Sequence, residues 1–169
     1  MQRDEEFKIE TEYYENGKKM RELYYKRDRI HREGAPAWIE YYEDGRKKCE
    51  FWMFNGRNHR DDGPAVICYN EKGQVELEIW YTNGEKHREG GPASVGYYEN
   101  GRKQYEHWYY HGKLHREDGP AWIEYDKFGN ITLQEYYIDD KKMLPEDFEK
   151  CCRIGELIKK AKGSRKIFL

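Results

Sequence analysis

The feature that most constrains this chain is a short string that returns every 28 residues. His31-Arg32-Glu33-Gly34-Ala35-Pro36-Ala37 comes back as His59-Arg60-Asp61-Asp62-Gly63-Pro64-Ala65. It returns again as His87-Arg88-Glu89-Gly90-Gly91-Pro92-Ala93 and as His115-Arg116-Glu117-Asp118-Gly119-Pro120-Ala121, with no insertion between copies. A fixed period of this length means one supersecondary unit per repeat, stacked on its neighbours.

The rest of the unit keeps the same register. Tyr13, Tyr41, Tyr69, Tyr97 and Tyr125 form one column, and Gly17, Gly45, Gly73, Gly101 and Gly129 another. Trp52, Trp80 and Trp108 make a third, continued by Tyr24 and Tyr136. Five units follow, at 3–30, 31–58, 59–86, 87–114 and 115–142, with atypical ends. Residues 1–142 are therefore expected as a repeat array and 143–169 as a separate C-terminal segment.

Local chemistry predicts two strands per unit. Ala37-Trp38-Ile39-Glu40-Tyr41-Tyr42 is rich in β-formers, and Glu43-Asp44-Gly45 supplies a turn with glycine at the position needing positive φ. Lys48 to Phe54 returns and is closed by Asn55-Gly56, and the stretch from Arg57 to Pro64 reads as irregular. Short turns make neighbours antiparallel. The expected fold is mainly β: an elongated antiparallel meander of about ten strands, built of stacked hairpins. Alternation places Ile39, Ile67, Val95 and Ile123 on one face with the Tyr41 column and the alanines. The Trp52 column shares a face with Glu50, Glu78 and Glu106. The Ile, Tyr and Trp columns, which vary least among units, are the expected packed spine.

Composition fits a thin sheet. Charged residues make 38% of the chain and aromatics 16%, so rings must supply much of the buried area. The tail differs. Leu144-Pro145-Glu146-Asp147-Phe148 opens a helix, and Phe148, Cys151, Cys152, Ile154, Leu157, Ile158 and Ala161 form an apolar stripe ending at Gly163. This helix is expected to cap the last sheet edge. A basic run follows at Lys159, Lys160, Lys162, Arg165 and Lys166.

The unit Tyr-Tyr-Glu-Asn/Asp-Gly-Arg/Lys, with its aromatic strand and Asn-Gly-Lys/Arg, resembles the variant MORN repeat. The His-Arg-acid-x-Gly-Pro-Ala string is similar to a subtype seen in giant DNA viruses and bacteriophages. The resemblance spans about residues 7–142 and implies stacked hairpins serving as protein-interaction or membrane-associated scaffolds. Some bacterial relatives are classed as antitoxin-like. The 28-residue unit is longer than the usual MORN length, so lipid binding transfers poorly.

Equivalent residues lie two strands apart, about 10 Å, whereas zinc gathers its donors within about 2.0–2.3 Å of one point. His31, His59, His87 and His115 therefore read as loop residues, with each Arg paired to a nearby acid. Ser94 and Ser164 sit in no nucleophile elbow, and Cys49 and Cys68 read as small apolar strand residues. With Cys151 and Cys152 they are expected as reduced thiols. Net charge is −2, so no global field draws nucleic acid, and no apolar run is long enough for a membrane helix. Met1 to Glu6 carries no apolar leader.

The expected function is a non-enzymatic scaffold that binds a protein, without cofactor or metal. For a viral or phage factor this would mean blocking a host protein by occlusion. The expected contact residues are Trp38, Trp122, Tyr42 and Tyr98, opposite the Ile/Tyr face, with Arg32, Arg60, Arg88 and Arg116. The alternative is a glycan- or lipid-head-group-binding module using the same aromatics. Sheet edges leave a place for a homodimer. The expected location is the cytoplasm (the host's, for a viral protein) or the virion.

Overall fold

The computed structural model describes residues 7–152. The first unit forms β1 (Phe7–Tyr13), β2 (Lys19–Lys26) and β3 (Arg29–Ile30). The second forms β4 (Trp38–Tyr41), β5 (Lys47–Phe51), β6 (Met53–Phe54) and β7 (Arg57–Asn58). The third forms β8 (Val66–Tyr69), β9 (Val75–Ile79), β10 (Tyr81–Thr82) and β11 (Glu85–Lys86). The fourth forms β12 (Ser94–Tyr97), β13 (Lys103–His107), β14 (Tyr109–Tyr110) and β15 (Lys113–Leu114). The fifth forms β16 (Trp122–Tyr125), β17 (Ile131–Ile138) and β18 (Lys141–Met143). The main sheet runs β1-β2-β4-β5-β8-β9-β12-β13-β16-β17-β18, antiparallel throughout.

The unit is richer than two strands. The returning strand breaks at its tryptophan, and the residues around Asn55-Gly56 fold back as a second, short hairpin, β6–β7. β10–β11 and β14–β15 repeat it. The cause is turn chemistry. Asn55 and Gly56 both take positive φ, 51° and 81°, the geometry a two-residue hairpin loop requires. Asn83-Gly84 and His111-Gly112 do the same. The stretch from Arg57 onward is thus partly strand. Each short hairpin hangs on the one before through a backbone bond: Gly56 N–H to Ile30 O, Gly84 to Asn58 and Gly112 to Lys86, at 2.8–2.9 Å.

The main hairpins share a defect that sets their twist. Register shifts between Glu12 and Tyr13, and at the equivalent step in every later unit, so each Tyr of the column sits beyond a bulge. Burial is split between the two sides of the sheet. On one side Ala37, Ala65, Ala93 and Ala121 are fully buried, and Ile39, Val95 and Ile123 nearly so. On the other, Cys49, Val66 and Cys68 form a buried cluster with Phe51, Leu77, Ile79 and Tyr81 packed against it. The expected spine of Ile, Tyr and Trp is therefore half of the core.

Helix α1 spans 145–152. Phe148 is buried and its ring lies 4.7 Å from that of Tyr136, at the place where earlier units stack an arginine. The cap covers the end of β17 near β18 and leaves Ile131 and Leu133 exposed. The expected stripe beyond Cys152 and the basic run from Lys159 lie outside the described residues. Among the described residues no helix is long and apolar enough to cross a membrane.

Candidate functional site

The repeated polar residues build joints between units. Tyr41 donates its hydroxyl to Glu22, Tyr69 to Glu50, Tyr97 to Glu78 and Tyr125 to Glu106, always 19 residues back. Lys19, Lys47 and Lys103 reach the first, second and fourth of these carboxylates from three residues away. Burial pushes Glu22 and Glu106 up, yet the bonds from lysine and tyrosine carry both below the ordinary carboxylate value. Burial and the facing carboxylate push Tyr125 up to about 12.

The arginines expected as contacts are engaged within the fold. Arg32 lies over the Tyr24 ring, Arg60 over Trp52, Arg88 over Trp80 and Arg116 over Trp108, each 3.8–3.9 Å from the centroid. Each also donates to the carbonyl of Pro36, Pro64, Pro92 or Pro120 in its own loop. A guanidinium sandwiched this way is largely committed. The histidines are joints too. His31, His59, His87 and His115 accept at Nδ1 the backbone N–H of Asn55, Asn83, His111 and Asp139, 24 residues on at the tip of the following short hairpin, at 3.1–3.3 Å. Burial, with His111 beside it, lowers the pKa of His87. Among the described residues no three His, Cys, Asp or Glu side chains are grouped to hold a metal.

Tyr42 and Tyr98 are likewise structural at their tips. Their hydroxyls donate to the carbonyls of Tyr69 and Tyr125, 27 residues on, and Tyr14 does the same to Tyr41.

The opposite face is different in kind. Its columns change identity from unit to unit: Arg21, Cys49, Leu77, Tyr105 and Leu133; Leu23, Phe51, Ile79, His107 and Glu135; Trp38, Val66, Ser94 and Trp122. Two half-buried aromatic groups stand out. Trp38 stacks on Phe51 at 4.7 Å. Further along, Tyr105 stacks on His107 at 4.4 Å and His107 on Trp122 at 3.7 Å. Gly96 makes this second stack possible, because any Cβ there would meet the Tyr105 ring at 2.3 Å. Burial, with Lys86 adding to it and Glu124 opposing, brings His107 down to about 4. Trp122 Nε1 donates to Glu124 at 2.9 Å.

Glu124 also lines an open cleft of about 330 Å³ with Tyr98, Gln104, Tyr105, Tyr125, Asp126 and Thr132. The structure thus brings Tyr98 and Trp122 to one locality, and leaves Trp38 three hairpins away on the same face. Sequence reasoning missed Tyr105, His107, Glu124 and Gly96. The available signal was variation along a column, which marks positions the joints do not require.

Two cysteines expected as reduced thiols are instead joined. Cys49 and Cys68 oppose each other across β5 and β8, with Cα atoms 4.1 Å apart, and form a disulfide. Spacing along the chain hid this, because the pairing follows from the strand register between units. Cys151 is a free thiol, and Cys152 donates its Sγ–H to the Glu117 carbonyl at 2.9 Å. No family model, curated protein or solved structure matches this chain.

Proposed function

We propose that the chain is a non-catalytic binding scaffold whose variable face takes a protein partner. The observation carrying this is the division of labour between the two faces. Glu, Tyr, Arg and Trp recur on one face and are spent on joints between units, whereas the other presents the unit-specific stacks of Trp38–Phe51 and Tyr105–His107–Trp122. Half-buried aromatic groups on a rigid frame lose little entropy on contact and form the usual anchors of protein interfaces. A flat, rigid ladder suits occlusion of a partner's surface, the mode expected for a viral or phage factor with the resemblance noted above.

The test is affinity capture with wild type, Trp122→Ala, Trp38→Ala and, as a control in an exposed turn, Lys72→Ala. A protein held by wild type and the control, and lost with either tryptophan, supports the reading. Equal retention by all four overturns it. A second reading rests on one arrangement: an aromatic ring, Trp122, beside a carboxylate, Glu124, at the rim of an open cleft. Sugars stack on rings and donate hydroxyls to carboxylates, so a polysaccharide array is the parallel test. Retention lost in both Trp122→Ala and Glu124→Gln would favour the glycan. Retention on anionic liposomes would favour a lipid head group.

A further inference from the structure

The main sheet ends in two unfinished edges that match each other. β1 is the counterpart of β4, β8, β12 and β16, the strands that open each unit, and its outer edge pairs with nothing among the described residues. β17 is the counterpart of β2, β5, β9 and β13, the strands that close each unit. Among the described residues it pairs beyond β16 only through Tyr136, Tyr137 and Ile138, with β18. Closing strand against opening strand is the joint the molecule already makes four times, as β2–β4, β5–β8, β9–β12 and β13–β16. We propose that β17 of one copy pairs with β1 of a second copy, repeating this joint and extending the array head to tail.

The register follows from the internal joints. Glu22 faces Ile39, Glu50 faces Ile67, Glu78 faces Val95 and Glu106 faces Ile123. The same positions at the ends place Gln134 opposite Thr11, with Leu133 opposite Glu12 and Glu135 opposite Glu10. Hydrogen-bond direction can be assigned as well. The 4.1 Å Cα separation of Cys49 and Cys68 marks a non-hydrogen-bonded pair. The adjacent pair, Glu50 and Ile67, is therefore the one whose N–H and C=O groups point across the joint. By equivalence, Thr11 and Gln134 turn theirs outward.

The side chains fit in kind. Tyr13, 59% exposed, holds the column position from which Tyr41, Tyr69, Tyr97 and Tyr125 donate to a residue of the preceding unit. Across the joint its acceptor would be the Gln134 amide oxygen. Ile9, 60% exposed, takes the place of the buried alanines and would pack on Tyr136. The like-charged pair, Glu10 and Glu135, is offset because Lys8 holds the first and Lys142 the second. It still weakens the contact relative to an internal joint. The interface is heterologous, so it adds copies in a line.

The test uses proline as an edge blocker. Thr11→Pro removes the outward N–H of β1 and Gln134→Pro that of β17, each at an edge position where proline is tolerated within the strand. Sedimentation velocity on wild type should show mass growing with concentration across about 10–500 µM, the range in which small interfaces dissociate. Each variant alone should stay monomeric with an unchanged β-sheet circular dichroism spectrum. An equimolar mixture of the two should give dimers and nothing larger, because each partner keeps one working end. Wild type that remains monomeric, a single variant that still associates, or a mixture without dimers would each overturn the proposal. Association by Gln134→Pro alone would indicate β1 pairing with β1.

Discussion

Acid should loosen the molecule first at His107. In the unfolded chain its imidazole titrates near the ordinary value of about 6.5. In the folded protein burial brings it down to about 4, between the rings of Tyr105 and Trp122. Between these two values the unfolded state holds the proton and the folded state does not, so stability falls as pH drops through that window. From pH 7 to pH 5 the full shift is worth about 2 kcal/mol. The ring is only half-buried and keeps some hydration, so about 1 kcal/mol is expected, or about 2–4 °C in Tm for a chain of this length. The comparison is with His107→Phe, which keeps the stack and removes the titration. Urea unfolding of both proteins at pH 7, 6 and 5 cancels the carboxylates common to them. Wild type should lose about 1 kcal/mol more than the variant. Parallel loss in the two proteins would refute the assignment of this slope to His107.

Other perturbations probe the joints. Val75 stands where Lys19, Lys47 and Lys103 reach their carboxylates, so Tyr97→Phe should cost about 2 kcal/mol against about 1 for Tyr69→Phe, read from thermal melts. Replacing Cys49 and Cys68 by alanine releases a loop whose ends are 19 residues apart and should cost about 3 kcal/mol in denaturant. Thiol titration of the unfolded wild type should count two more thiols after reduction than before it. Arg60→Ala removes both the cover over Trp52 and the bond to Pro64, and should lower stability by about 1–2 kcal/mol with a change in tryptophan emission. Gly96→Ala forces the Tyr105 ring aside and should cost about 1–3 kcal/mol, with loss of the near-ultraviolet signal of the stack.

The architecture was legible because the period is strict. A residue that must meet its neighbour's counterpart has to recur, so Tyr69, Glu50 and Ala65 announced the sheet and its direction. The short hairpins were legible in principle from Asn55-Gly56 and Asn83-Gly84, the strongest turn signal available, but a strand run through Trp52 concealed them. The disulfide was not visible along the chain, since it joins a closing strand to the next opening strand and only the pairing offset reveals it. Trp38 and Trp122 lie on the variable face, whereas the arginines stack on the repeated rings of the other, a task that every unit shares. Tyr105 and His107 escaped notice for the complementary reason: each occurs once, and singular residues carry no periodic signal.

The tyrosine, glutamate and histidine joints span only 19 to 27 residues of chain. A sheet with so many strands would ordinarily assemble slowly, waiting on encounters between distant segments. Here a hairpin leaving the ribosome needs only the one behind it to complete its bonds, so the sheet can grow at the pace of synthesis. Registration errors would be confined to a single step, and the array could gain or lose one unit without rebuilding the others.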